Sequence, residues 1–217
     1  MAKNAIVTGY SSGIGAAICE SLEQNGYKII KLISRLEDTT SLEEEIKTIL
    51  KSNDIDLLVN CAGVGVFQPH EELNISKIKE LIDVNLMAPI VLSNLLLRSL
   101  KKTKGTIINI TSIEATKHSK FSALYTATKS GLRDFSLCLF EEVRKSGVKV
   151  VSINPDITKT SFFDDLQFEP SKKEETYLLP NSIAKIVLDI LNLDGVITDI
   201  TIRPQKFELS KKKFINP

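Results

Sequence analysis

Short apolar, β-branched runs alternate along this chain with longer stretches that repeat apolar residues every three or four positions. The runs at 5–8, 28–34, 56–63, 105–112, 148–153 and 196–202 predict strands. The stretches at about 14–25, 40–52, 75–100, 123–146 and 182–193 predict helices. In the second of these, Leu42, Ile46, Ile49 and Leu50 make the apolar stripe, with Ser41 as the cap. Pro89 falls inside the third and predicts a kink or a division there. That helix spreads Ile78, Leu81, Ile82, Leu86, Ile90, Val91, Leu95 and Leu96 more widely than one core face needs. A subunit interface and a thick core helix both fit the pattern. Strands alternating with helices from end to end predict a single α/β domain over residues 1–217, doubly wound around a mostly parallel sheet. In such sheets a site lies beyond the carboxyl ends of the strands.

Composition narrows the function classes. The 217 residues are 42% hydrophobic, which fits a packed core rather than disorder. Net charge is +1, from 28 basic and 27 acidic residues, so no charge excess draws the chain to nucleic acid or an anionic membrane. Lys211, Lys212 and Lys213 read as a solvated tail. The first residues read as a strand, without the charged and apolar regions expected of a signal peptide, and no apolar run approaches the roughly 18 residues that span a bilayer. Cys19, Cys61 and Cys138 are scattered and odd in number, matching neither a disulfide framework nor a metal site. His70 and His118 have no neighbouring ligand types and read as loop histidines. No metal is expected, and a reducing cytoplasm is the expected location.

Two stretches carry candidate chemistry. Tyr125 and Lys129 stand four apart on a predicted helix, so one face presents a phenol beside an ammonium. A cation there would stabilise the phenolate and lower a pKa that is ordinarily near 10, suiting the tyrosine to proton transfer. Ser112, thirteen residues upstream where a strand runs out, could hold a substrate oxygen against that phenol. Taken alone, the pair could equally be the rim of an amphipathic helix. The second stretch is Thr8-Gly-Tyr-Ser-Ser-Gly-Ile-Gly15, between a strand and a helix. Gly9 permits a tight turn, Gly13 lets backbone approach a phosphate, and Gly15 lets the helix pack on the strand. The helix N-terminus then offers N–H groups and a positive dipole end to a pyrophosphate.

Thr8-Gly9-x-x-x-Gly13-x-Gly15, with Tyr125-x-x-x-Lys129 and Ser112, resembles the short-chain dehydrogenase/reductase family. Asn60-Cys-Ala-Gly63 is close to that family's Asn-Asn-Ala-Gly, Asn85 falls on the following helix as the family's asparagine does, and Asn154-Pro155 ends a later strand where the family has Pro-Gly. The motifs come in the family's order over nearly the whole chain. The resemblance implies a Rossmann-type fold and hydride transfer between a nicotinamide cofactor and a small carbonyl or alcohol substrate. It implies Tyr125 as general acid/base, Lys129 as depressing its pKa and binding the nicotinamide ribose, Ser112 as orienting the substrate, and Asn85 as holding a water beside Lys129. Cofactor contacts are implied at Gly9, Ser11, Ser12, Gly13, Ile14 and Gly15, at Asn60, Ala62 and Gly63, at Tyr125 and Lys129, and at Pro155, Thr158 and Thr160. A homodimer or homotetramer is also implied.

The cofactor preference and two departures from the family remain. After the second strand the candidate positions are Ile33, Ser34 and Arg35; none is acidic, and a guanidinium suits the 2′-phosphate of NADP. NADP is therefore the expected cofactor, with NAD the alternative, since Glu37 and Asp38 could turn to a ribose or neutralise Arg35. Only 25 residues separate Arg35 from Asn60, too few for the family's extra helix and edge strand. The sheet should lack one edge strand and run 2-1-4-5-6-7 in family labels. Asp156 replaces the glycine after Pro155, where it could repel an anionic substrate or face solvent. A short substrate-covering loop is expected at about 156–180, with Phe162, Phe163 and Phe168 either lining a pocket or anchoring the loop. A nucleotide-binding regulatory protein with little turnover is the alternative function.

Overall fold

A computed structural model describes residues 2–212. Six strands form one parallel sheet: β1 (Lys3–Val7), β2 (Tyr27–Ile30), β3 (Leu57–Asn60), β4 (Thr106–Ile110), β5 (Lys149–Pro155) and β7 (Asp199–Ile202). Their spatial order is β2-β1-β3-β4-β5-β7, every neighbouring pair parallel. This is the predicted arrangement, with β2 at the edge where the family places a further strand. Helices α1 (Gly13–Gln24) and α6 (Pro180–Asn192) cover one face, while α2 (Thr39–Ile49), α4 (Ala88–Thr103) and α5 (Ala123–Val143) cover the other.

Alternation along the strands builds both cores. Ala5, Val7, Leu57, Val59, Ile108 and Ile110 point to the α1/α6 side, where Ile18, Leu22, Ile183 and Val187 meet them. Ile6, Leu58, Ile107 and Val150 point the other way, onto Leu42, Ile46, Leu92, Leu96 and Leu100. Strands buried on both faces read as continuous apolar runs, and these do.

Several boundaries differ from expectation. β2 stops at Ile30, because the Glu45 carboxylate of α2 accepts the backbone N–H groups of Ile33 and Ser34 at 2.8 and 2.9 Å. The cap of α2 is Asp38 rather than Ser41: its carboxylate accepts from the Ser41 backbone N–H at 3.0 Å and from the Ser41 hydroxyl at 2.6 Å. Pro89 is the second residue of α4 and follows directly on a wide π-turn, where the loosened hydrogen-bond ladder accommodates a residue without an N–H. Ahead of it, α3 (Ile75–Ile82) runs into a wide π-turn at Asp83–Met87, so residues 75–103 form one continuous helical stretch. Contrary to expectation, that stretch is long and apolar enough to cross a membrane by length and composition. A little under half of its most apolar window is buried within the chain, and over the whole stretch Leu81, Leu92, Leu96 and Leu100 are completely buried.

The supposed lysine tail is also structured. Leu209–Lys211 forms β8, which pairs antiparallel with β6 (Phe168–Pro170) in the loop beyond β5. Lys213 lies outside the described residues.

Candidate active site

The glycine turn forms one side of a cavity of about 810 Å³ at the carboxyl ends of the strands. Thr8 Oγ1 accepts from the backbone N–H groups of Cys61 and Ala62, at 3.0 and 3.1 Å, and so ties the end of β1 to the end of β3. Gly9 has a φ of +68°, and a Cβ on it would lie 2.9 Å from Ala62 Cα. A Cβ on Gly15 would lie 2.1 Å from the Gly9 carbonyl oxygen. The Ser12 side chain makes no capping bond, so the first-turn N–H groups of α1 are left for a ligand. Gly9, Ser12, Gly13, Ile14 and Gly15 line this side, with Ala62 and Gly63 beside them. A backbone cradle that a Cβ would fill, facing an uncapped helix N-terminus, fits a dinucleotide's phosphates.

Ser112, Tyr125 and Lys129 line the same cavity. Ser112 is the extended residue just beyond β4, and its hydroxyl accepts from the Glu114 backbone N–H at 3.2 Å. Tyr125 and Lys129 lie on α5, 6% and 3% exposed, with Lys129 Nζ 6.0 Å from the centre of the Tyr125 ring. Lys129 Nζ donates to the Ile110 carbonyl at 3.1 Å. The expected lowering of the phenol's pKa is not what this geometry gives. Burial pushes Tyr125 up to about 12, against the pull of its hydrogen bond with Ser112 and with the push of the Glu114 carboxylate. Burial likewise pushes Lys129 down to about 8. Desolvation dominates because both groups are buried, and the ammonium gives its hydrogen bond to the Ile110 carbonyl.

That lysine makes stability depend on pH. With a folded pKa near 8 and an unfolded one at 10.5, the folded chain sheds the Lys129 proton first. Between those values the unfolded state binds more protons, so the contribution to stability rises with pH. Lys129→Met removes that rise. The wild type gains on the variant by up to about 3 kcal/mol from pH 8 to 10.5, read as the difference in urea unfolding free energy. A difference that stays flat across the window would show that Lys129 keeps its ordinary pKa.

Asn85 acts on the cavity from behind. It sits in the π-turn, fully buried, and its amide accepts from the Val64 backbone N–H and donates to the Val64 carbonyl, both at 2.9 Å. It donates also to Thr128 Oγ1 at 3.2 Å. The wide turn aims this side chain at the loop after β3, holding Gly63 where a Cβ would meet Lys129 Nζ at 3.2 Å and Asn85 Oδ1 at 3.4 Å.

Other expected residues divide. Pro155, Thr158 and Thr160 line the cavity. Thr158 donates to the Asp156 carbonyl at 2.9 Å, and Thr160 packs against Gly13. Ser11, Arg35, Asn60 and Asn85 do not line it. Asn60 is buried and gives its amide N–H to Asn109 Oδ1 at 2.7 Å; its own Oδ1 is the one buried side-chain atom without a partner among the described residues. Arg35 is 85% exposed and 3.6 Å from Glu37, so the anticipated neutralisation is present but loose. Asp156 does neither thing expected of it: its carboxylate accepts from Arg203 Nε and the Ile157 backbone N–H, both at 2.9 Å, with a side chain only 1% exposed. The arginine that cancels it lies 47 residues away.

Sequence reasoning missed three contributors. Glu114 is buried at the cavity and accepts from the Ser119 and Ser122 hydroxyls at 3.0 and 3.2 Å, closing the loop between Ser112 and α5. A lone acid among serines and threonines was its only signal. Phe67 stacks 5.2 Å from the Tyr125 ring, from a loop with no periodic pattern. The C-terminal strap, residues 204–212, carries Phe207, Leu209, Lys211 and Lys212 onto the cavity. It is sewn to the loop after β5 by Lys173–Glu208 and Lys206–Glu175 ion pairs at 2.9 and 2.6 Å. Lys212 Nζ also donates to the carbonyls of Phe163 and Asp164.

Residues 33–170 match the family described as short chain dehydrogenase. The chain belongs to that family. An uncharacterized oxidoreductase of Staphylococcus saprophyticus is 32% identical, the alignment covering 93% of this chain and 97% of the relative. L-xylulose reductase of Caenorhabditis elegans is 30% identical over 80% of this chain and 78% of its own. Among solved structures, an alcohol dehydrogenase from the archaeon Thermococcus sibiricus, complexed with 5-hydroxy-NADP, superposes with a TM-score of 0.83 at 26% identity, covering 94% of this chain and 97% of that one. This short-chain dehydrogenase thus shares its layout with relatives along almost its whole length.

Proposed function

We propose that this short-chain dehydrogenase is an NADP-preferring oxidoreductase that interconverts a carbonyl and an alcohol, with Tyr125 as its proton donor and acceptor. The observation that carries the reading is the meeting of Ser112, Tyr125 and Lys129 in one cavity with the glycine turn. The cofactor supplies hydride chemistry when bound. Gly9, Gly13, Ile14 and Gly15 hold its phosphates, Lys129 its nicotinamide ribose, and Thr158 and Thr160 its carboxamide or a phosphate, Thr160 standing against Gly13 on the phosphate side. Ser112 Oγ hydrogen-bonds the substrate oxygen, and Tyr125 Oη gives that oxygen its proton in reduction or takes it in oxidation. Asn85 is a positioning residue that fixes the Gly63–Val64 backbone against Lys129. Arg35, exposed and weakly paired, is free to meet a 2′-phosphate. The exposed Ile82 and Met87 beside the half-buried Leu86 and Ile90 support a homodimer or homotetramer through the α3–α4 face.

Fluorescence titration with NADPH and NADH, followed by turnover on a carbonyl panel, tests the reading. Tighter NADPH binding is expected, and Arg35→Ala weakens NADPH about ten-fold while moving NADH less than two-fold. Equal losses for both cofactors would remove the phosphate role from Arg35. Binding without turnover of any carbonyl would favour a nucleotide-binding regulator instead.

A further inference from the structure

Five aromatic rings form a closed circuit at the catalytic end of the cavity. Tyr125 meets Phe67 at 5.2 Å between ring centres, Phe67 meets Phe168 at 5.2 Å, and Phe168 meets Phe163 at 5.8 Å. Phe163 meets Phe162 at 5.4 Å, and Phe162 returns to Tyr125 at 6.0 Å. Three elements distant in sequence supply them: the loop after β3, the loop after β5, and α5. Phe168 belongs to β6, which β8 holds in place. A substrate rich in hydroxyls would lose its hydration against this wall and find few partners there. A flat apolar body would lose nothing and gain edge-to-face contacts.

The mouth of the cavity has a different chemistry. Lys117, Lys120, Lys211 and Lys212 all reach it, against the carboxylates of Glu114 and Asp156. Arg203 cancels Asp156, Glu114 lies 3.2 Å from Lys117, and Lys212 is bonded to two carbonyls. Lys120 and Lys211 have no carboxylate partner among the described residues. Lys120 Nζ stands 4.7 Å above the ring of Phe121, itself a non-glycine residue at φ +65°, a conformation that costs energy in a bulky residue. That strained turn keeps an aromatic ring and its lysine at the entrance.

We infer that this site takes an amphipathic carbonyl compound, with a flat apolar body seated on the phenylalanine wall and a carboxylate facing Lys120 and Lys211. The inference rests on the oxidoreductase reading and adds the substrate class to it. Rates with NADPH are compared for glyceraldehyde, benzaldehyde, 4-carboxybenzaldehyde and 4′-formylbiphenyl-4-carboxylate. The kcat/KM rises from the polyol to the aryl aldehyde, and again to the carboxylated ones. Phe162→Ala raises KM for the aryl aldehydes about ten-fold and leaves glyceraldehyde less affected. Lys120→Glu combined with Lys211→Glu raises KM for the carboxylated aldehydes about ten-fold more than for benzaldehyde, and the gap narrows with added salt. Biphenyl-4-carboxylate binding, followed by calorimetry on the protein with NADP and without it, reads the pocket independently of turnover. It is expected to bind, and more weakly in the lysine double variant.

Glyceraldehyde turned over as well as the aryl aldehydes would overturn the apolar body. A KM ratio unmoved by the charge reversals would overturn the anionic end. Biphenyl-4-carboxylate binding without turnover of any aldehyde would leave the pocket chemistry standing and remove the oxidoreductase reading instead. Absence of both binding and turnover would overturn the inference, even in a protein that still bound NADPH.

Discussion

Tyr125→Phe is expected to lower kcat for carbonyl reduction by about 10³-fold, the scale of losing a positioned general acid, while NADPH affinity stays within about two-fold. The argument is steric as much as chemical. The substitution removes one oxygen and keeps the ring, so packing against Phe67 and Phe162 survives and nothing on the glycine side of the cavity moves. Stability provides a second reading. Because burial lifts the Tyr125 pKa from 10 to about 12, the folded chain holds that proton longer than the unfolded chain does. The contribution is intact below pH 10 and is lost as pH rises through 12. The Phe variant escapes that loss, so its urea midpoint gains on the wild type above pH 10. Wild-type turnover in the variant would remove Tyr125 from the mechanism, whatever the cofactor did.

Gly15→Ala is expected to damage both folding and cofactor binding. Its methyl would have to occupy a point 2.1 Å from the Gly9 oxygen and 2.7 Å from the Gly9 carbonyl carbon, both backbone atoms with no rotamer to change. The turn must open or α1 must back away from β1, at about 1–3 kcal/mol for the overpacking alone. For a chain of this size that lowers Tm by about 2–4 °C per kcal/mol. Moving the turn also withdraws the first-turn N–H groups, so NADPH affinity falls about 100-fold or more. Gly131→Ala in α5 is the control. There the added methyl meets only Leu86 at 3.4 Å, an ordinary contact, and helix propensity favours alanine by about 1 kcal/mol. Thermal melts and fluorescence titrations of the two variants check the pair. A Gly15→Ala protein with unchanged Tm and affinity would mean that the close approach of α1 to the turn is absent in solution.

Where the chemistry was legible in advance, it was written in local spacing. Tyr125 and Lys129 needed only one helix to become neighbours, and Gly9 and Gly15 needed only the strand, turn and helix already visible around them. The missing edge strand could be read from length alone, since 25 residues hold one helix and no more. Where the reading failed, a partner that the pattern did not point to decided, once distant and once local. Asp156 looked like a free charge until β7 delivered Arg203 to it, and Ser41 looked like a cap until Asp38 took the position three residues earlier.

The amino-acid sequence by itself determined the alternating order of strands and helices, hence the parallel sheet, and the identities of the glycines, serine, tyrosine and lysine at its carboxyl edge. Periodicity fixes which face of each element is apolar, and that information is local. The tertiary structure alone decided the protonation tendencies of Tyr125 and Lys129, because desolvation depends on what the rest of the chain packs over them. It alone closed the five-ring circuit and brought residues 204–212 back across the cavity, where Lys211 and Lys212, which read as part of a solvated tail, become part of the wall. Burial and long-range pairing are properties of the assembled chain, and no window of neighbouring residues contains them.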